Sequence, residues 1–152
     1  MQVGDKFPSF TLPRDGGGEL ALSDFKGKKL VLFLYPKDDT PGCTTESIEF
    51  TATRDEFDKA GAVVVGLSKD TVKKHDKFIE KHSLGVPLLS DENGTLIEPL
   101  GCWVEKNMYG RTYMGIERTT FLIDGAGVVR NIWRKVKVKG HVAEVLEAAK
   151  EV

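Results

Sequence analysis

The chain has 152 residues, of which 40% are hydrophobic and 30% charged, and a formal net charge of −1. That length suits one domain over residues 1–152 with a core of its own. The near-neutral charge offers no electrostatic footprint for nucleic acid or an anionic membrane surface. The longest apolar runs, Leu30 to Tyr35 and Ala62 to Val65, are too short to cross a bilayer. The opening MQVGDKFPSF lacks the apolar stretch of a signal peptide. Two cysteines make no disulfide framework, so a reducing, cytoplasmic setting is expected.

In chain order, Phe10 to Leu12 and Leu20 to Leu22 flank the turn formers Asp15-Gly16-Gly17-Gly18, which predicts an N-terminal hairpin. Leu30 to Tyr35 is continuously apolar, as a strand buried on both faces should be. Pro36 ends it, and a loop runs to Cys43. From Cys43 to Ala60 the pattern is helical, with Gly61 as its stop. Ala62 to Leu67 is a second buried strand. Thr71 to His82 follows as an amphipathic helix with Val72, Phe78 and Ile79 inward. Next come a short strand over Val86 to Leu89, the turn Asp91-Glu92-Asn93-Gly94 and a short helix over Thr95 to Leu100. Arg118 to Ile123 and Val128 to Val138 flank the turn Asp124-Gly125-Ala126-Gly127 as an antiparallel pair. Val142, Val145, Leu146 and Ala149 mark a last helix. The order is that of an α/β thioredoxin-like fold: an N-terminal hairpin extension and a central mixed sheet flanked by helices. Trp103 and Trp133 are expected to be partly buried packing residues.

The segment Tyr35-Pro36-Lys37-Asp38-Asp39-Thr40-Pro41-Gly42-Cys43 lies where α/β sheets present their binding sites, after a buried strand and at a helix start. A cysteine there meets unpaired backbone N–H groups and the positive end of the helix dipole, both favouring thiolate. Ionisation alone is a limited gain. A thiol of pKa about 8.5 is already a few per cent ionised at neutral pH, so full ionisation yields at most roughly thirty-fold. A catalytic thiol must also orient its substrate and stabilise charge on the leaving group. Thr40, three residues before Cys43, carries a hydroxyl able to bond the thiolate or a bound substrate. Pro36 and Pro41 stiffen the loop. Arg118 or, less well placed, Arg54 would supply a fork that meets sulfur and oxygen together. Plainer roles exist for each: a turn cap for Thr40, an ion pair with Glu46 or Glu117 for Arg118, and one with Asp58 for Arg54.

Pro36-x-x-x-Thr40-x-x-Cys43 resembles the active-site motif of the peroxiredoxins. The strings YPKDDTPGCTTE and EKNMYGRTYMGIERTTFLID, with the opening GDKFPSFTLP and the closing RKVKVKGH, are similar to the bacterioferritin comigratory protein (Q-type) subfamily along the whole chain. The resemblance implies Cys43 as peroxidatic nucleophile, Thr40 as the peroxide-orienting hydroxyl, Pro36 as a shield for the sulfur and Arg118 as the activating arginine. It further implies a cysteine sulfenic acid intermediate and no cofactor or metal. Its expected partners are a peroxide and a thiol reductant such as thioredoxin, glutaredoxin or glutathione, and its expected assembly is a monomer or loose dimer.

The chain also departs from that subfamily. A resolving cysteine often lies five residues after the first, where Ile48 stands, or near Phe78 to Glu80. The remaining cysteine, Cys102, sits in the apolar stretch Leu100-Gly101-Cys102-Trp103-Val104, where a buried, inert thiol is the plainer reading. Three routes remain open: resolution by Cys102 within one chain, resolution between chains, or a one-Cys enzyme reduced by an external thiol, which is favoured. Glu46, three residues past Cys43, is read as a capping carboxylate that supports the helix start. His75, His82 and His141 are scattered without metal-ligand spacing. The basic run Arg134, Lys135, Lys137 and Lys139 reads as a solvated strand face. A thiol–disulfide oxidoreductase would need a second cysteine three residues away, but Thr40 and Glu46 occupy those positions. A binding protein with an incidental cysteine is the rival from another class.

Overall fold

The computed structural model describes residues 1–152. Strands β1 (Thr11–Pro13) and β2 (Glu19–Ala21) form the expected N-terminal hairpin, in a two-stranded sheet of their own. A 3₁₀ turn at Leu22–Phe25 leads into β3 (Lys29–Leu34). Helix α1 (Pro41–Lys59), β4 (Ala62–Ser68), α2 (Val72–His82) and β5 (Leu88–Ser90) follow. A second hairpin, β6 (Trp103–Met108) with β7 (Arg111–Ile116), precedes β8 (Thr119–Ile123), β9 (Val129–Trp133) and α3 (His141–Glu151). The central sheet has the order β5-β4-β3-β8-β9. β3 is parallel to β4 and antiparallel to β8, so the sheet is mixed.

Alternation along the strands separates two cores. Leu30, Leu32 and Leu34 of β3, with Phe121 and Ile123 of β8, pack against Phe7, Phe10, Phe25, Ile97 and Cys102. Val31, Phe33 and Tyr35, with Leu122, face the opposite way, onto Cys43, Phe50 and Phe57 of α1 and Val142, Val145 and Ala149 of α3. The sheet is therefore apolar on both faces, which explains the unbroken hydrophobic runs of β3 and β4.

Three elements differ from the sequence reading. The helix expected over Thr95 to Leu100 is a set of turns: Glu98 N–H bonds Gly94 O at 3.0 Å and Leu100 N–H bonds Leu96 O at 3.3 Å. Pro99 has no N–H to continue the series, and Gly101 turns away at φ +75°. The strand expected to reach Val138 stops at Trp133, since Lys135 takes a left-handed φ of +48°. The β6–β7 hairpin was not expected. Its turn, Tyr109-Gly110, has φ of +52° and +77°, the positive pair that a two-residue hairpin loop requires. Trp103 and Trp133 are half-buried, as expected.

Gly66, in the middle of β4, lies between Phe33 of β3 and Leu88 of β5. A Cβ there would stand 2.6 Å from Leu88 Cδ2 and 2.8 Å from Phe33 Cζ. Phe33 is stacked on Phe50 and Tyr35 and has little room to yield. Gly66→Ala is expected to lower stability by about 1–3 kcal/mol through overpacking, read as a lower urea midpoint; an unchanged midpoint would show that this layer adjusts freely.

Candidate functional site

β3 delivers the chain to Pro36, and the Tyr35 N–H extends the parallel ladder by bonding Leu67 O at 3.1 Å. The loop then runs over Lys37 and the left-handed Asp39 (φ +60°) to Thr40, the N-cap of α1. Pro41 occupies the first helical position, where its missing N–H costs nothing. Thr40 does not cap with its side chain; its hydroxyl donates to Lys37 O at 2.8 Å. Cys43 thus sits in the first turn of α1 and is 1% exposed. The backbone N–H groups of Gly42 and Cys43 have no protein acceptor, as expected for the first turn of a helix.

Arg118 reaches this turn from the other side. It immediately precedes β8, on the same face as Thr120 and Leu122, and its carbonyl accepts the Val136 N–H at 3.0 Å. One arm of the guanidinium, Nη2, donates to Cys43 Sγ at 3.2 Å, and the other, Nη1, donates to Glu46 Oε1 at 2.7 Å. Cys43 and Glu46 share a helix face because they are three residues apart. A Cβ at Gly42 would lie 3.2 Å from Arg118 Nη2, so the absence of a side chain there lets the arginine close on the sulfur. Arg54 stays away from the site. Its guanidinium covers Gly85, and it forms no ion pair with Asp58.

Glu46 is the largest departure from the sequence reading. Because α1 begins at Pro41 and not at Cys43, this carboxylate lies beyond the capping positions and is fully buried. Burial pushes its pKa up to about 7, although Arg118 pulls the other way. Its second oxygen, Oε2, has no hydrogen-bond partner and lies 3.9 Å from His141 Nε2. His141 is within 2.8 Å of Thr120 Oγ1, and burial depresses its pKa to about 4. At neutral pH the histidine is uncharged, so the 3.9 Å approach is not an ion pair. Burial works against the charge of Arg118, but Glu46 and Cys43 outweigh it and raise the arginine's pKa. A depression of about 420 Å³ opens beside the arginine, lined by Pro36, Val104, Lys106, Glu117, Arg118 and Val136.

Cys102 lies elsewhere. It is buried in the core on the opposite face of the sheet from Cys43, its Sγ is 3.8 Å from Leu100 O, and burial pushes its thiol up. A disulfide needs Cα atoms about 4.4–6.8 Å apart, and here a β-sheet stands between the two residues. Ile48 is an exposed hydrophobe on α1, and Ile79 is half-buried on α2. No three His, Cys, Asp or Glu side chains cluster as metal ligands would. No helix is long and apolar enough to cross a membrane.

The mixed sheet, the flanking helices and a cysteine at a helix start beside an arginine define a thioredoxin-fold protein. Residues 3–132 match the AhpC/TSA family, and the chain belongs to it. A putative peroxiredoxin bcp of Coxiella burnetii is 55% identical over 96% of this chain and 97% of its own length. A peroxiredoxin Q of Xylella fastidiosa superposes with a TM-score of 0.94 at 40% identity, over 99% of this chain and 96% of that one. The bacterioferritin comigratory protein of Xanthomonas campestris, whose structures concern alkyl peroxide reduction, gives 0.88 at 47% identity over 93% and 90%.

Burial raises the pKa of Glu46 to about 7, so the charge on the carboxyl beside Arg118 changes by one near neutral pH. Glu46→Gln keeps an acceptor for Nη1 and removes the titration. The rate at which iodoacetamide alkylates Cys43 is expected to show an inflection near pH 7 in the wild type and none there in the variant. The same inflection in both proteins would assign it to another group.

Proposed function

We propose that the protein is a thiol peroxidase reducing hydrogen peroxide and organic hydroperoxides, with Cys43 as nucleophile. The thiolate attacks one peroxide oxygen in line with the O–O bond. The sulfur is oxidised to a sulfenic acid as the peroxide is reduced by the same two electrons, and the departing oxygen takes a proton to leave as water or an alcohol. The observation that carries this reading is the Arg118 fork, 3.2 Å from Sγ and 2.7 Å from Glu46.

Magnitudes favour the arginine over the helix as the main electrostatic device. A helix N-terminus is worth about 0.3–1 kcal/mol to a nearby anion, whereas a hydrogen bond to a charged group is worth about 1.5–3 kcal/mol. Arg118 is also placed to follow negative charge from sulfur to the leaving oxygen, together with the free N–H groups of Gly42 and Cys43. Thr40 complements these donors. With its own proton given to Lys37 O, its oxygen accepts the O–H of an arriving peroxide and turns the O–O bond toward the sulfur. Pro36, on the rim of the depression, keeps bulk water from the sulfur.

The finding that Cys43 and Cys102 belong to cores on opposite faces of the sheet supports the one-Cys route. The sulfenic acid is then reduced by an external thiol of the thioredoxin, glutaredoxin or glutathione type: the first thiol forms a mixed disulfide and releases water, and a second thiol cleaves it. A monomer or loose dimer, acting in the cytoplasm, fits this scheme. Reduced protein treated with one equivalent of hydrogen peroxide, with and without dimedone, tests it by intact mass. A dimedone adduct that Cys43→Ser abolishes and Cys102→Ser does not, with no loss of two hydrogens when dimedone is omitted, is the expected result. A two-hydrogen loss that either substitution abolishes would make Cys102 the resolving cysteine. No peroxide-dependent change at Cys43 would leave a binding protein with an incidental thiol.

A further inference from the structure

Helix α2 buries a polar side chain in the middle of its inner stripe. His75 is completely buried beside Phe78, and both ring nitrogens face acceptors. Nδ1 is 2.7 Å from Asp38 Oδ2, and Nε2 is 2.8 Å from Leu89 O. The carbonyl can only accept, so Nε2 must carry a proton. Asp38 already accepts the Tyr35 hydroxyl on its other oxygen, at 2.6 Å. A carboxyl is ordinarily more acidic than an imidazolium by roughly 2.6 pH units, so the proton between Asp38 and His75 belongs on the ring. In that form His75 donates in two directions.

Its partners tie together three parts of the site's scaffold. Asp38 is in the loop between β3 and α1 that carries Pro36 and Thr40, and Leu89 is in β5. The Asp38 N–H also donates to Asp70 Oδ2 at 2.8 Å, and Asp70 is steadied by the Ser68 hydroxyl at 2.8 Å. A second tether, Asp39 to Lys81 and His82 at 2.7 and 2.8 Å, is exposed and contributes little.

We propose that His75 is a positioning residue for the peroxide reaction: as a buried imidazolium it pins the loop from Pro36 to Thr40 onto helix α2 and strand β5, and so fixes Thr40 and the first turn of α1. The inference rests on reading Cys43 and Thr40 as the reacting site. The ionisable groups facing His75 are Asp38 from the loop, Asp70 from the β4–α2 connection and Tyr35 from β3. Burial alone would lower the pKa of His75, but the bond and charge of Asp38, the Leu89 carbonyl and Asp70 outweigh it and raise it. The pin is complete below the ordinary histidine value and is lost as pH rises through the raised one. Loss of that single proton leaves a ring lone pair facing an oxygen. Ionisation of Cys43 increases the rate with pH, and Glu46 changes charge near pH 7 in the wild type and in Asp38→Asn alike, so an alkaline fall that Asp38→Asn removes is the signature of His75.

The test combines histidine ¹⁵N NMR with stopped-flow oxidation of the reduced enzyme by hydrogen peroxide, without any reductant. In the wild type, the His75 ring is expected to hold protons on both nitrogens up to a pH above the ordinary histidine value, and the oxidation rate to fall as it loses one. Asp38→Asn permits a neutral network with every partner kept: Asn Oδ1 accepts from Tyr35, Asn Nδ2 donates to Nδ1, and Nε2–H donates to Leu89. That variant should show a neutral His75 and no alkaline fall, with a rate lowered by at most about tenfold, the worth of one hydrogen bond. His75→Phe fills the space but frees the loop and should slow oxidation by about 100-fold, the cost of a 1 Å misplacement. If His75→Phe does not fold, the Asp38→Asn profile and the spectrum still decide. The inference is overturned by a wild-type His75 that loses its second proton at or below the ordinary histidine value, by an alkaline fall that survives in Asp38→Asn, or by a wild-type rate in a folded His75→Phe. Wild-type protein whose Cys43 is not oxidised by peroxide would overturn the peroxidase reading itself, and the positioning role with it, whatever protonation the spectrum reports.

Discussion

The guanidinium of Arg118 joins the start of α1 to the start of β8, and most of the local architecture follows from making that fork possible. Its two arms need two acceptors on one helix face, which Cys43 and Glu46 supply at a spacing of three residues. The close approach is eased by Gly42, where a Cβ would crowd Arg118 Nη2 at 3.2 Å. Lysine, with a compact charge on a flexible stem, would not hold both partners in one plane. The arrangement has a cost in Glu46, whose buried Oε2 lacks a partner. Buried ion pairs of this kind are poor sources of stability, so orientation of the arginine is the better physical reason for this one.

The sheet acts as both scaffold and divider. The register of β3 with β4 and β8 sets which side chains point to α1 and α3 and which to the N-terminal segment. It thereby places Cys43 and Cys102 in different cores. The loop between β3 and α1 is held from below by Asp38 and Asp70 and from the side by Asp39, so a segment without regular structure is anchored by side chains of known partners. Such anchoring suits the proposed reaction, in which a hydroxyl, two N–H groups and a sulfur are presented in fixed relation.

Much of this was legible in the residues. The buried strand Leu30 to Tyr35, the turn formers after it and the helical pattern beyond Cys43 placed this cysteine at a helix start by physical argument, while the roles of Pro36, Thr40 and Arg118 were read chiefly from resemblance. Glu46 was misread because the helix start was set two residues late; Thr40 followed by Pro41 was the signal for the true N-cap. His75 was hidden in Val72-Lys73-Lys74-His75-Asp76, where polar neighbours mask its inward position, although its spacing of three from Phe78 marked the stripe. The β6–β7 hairpin lacked an apolar run, and only Tyr109-Gly110 between residues of strand type hinted at it. The separation of the two cysteines depends on sheet topology, which pairs residues distant in the chain and leaves no local trace.

The contribution of the arginine is best isolated by comparing two reactions of Cys43. Oxidation by hydrogen peroxide needs both a thiolate and stabilisation of the leaving oxygen, whereas alkylation by iodoacetamide needs chiefly the thiolate. In Arg118→Met, peroxide oxidation is expected to fall by about 100-fold or more, the usual cost of removing a transition-state donor, with a much smaller fall in alkylation. Equal losses in the two reactions would mean that Arg118 acts only on ionisation, and an unchanged peroxide rate would contradict the site as described.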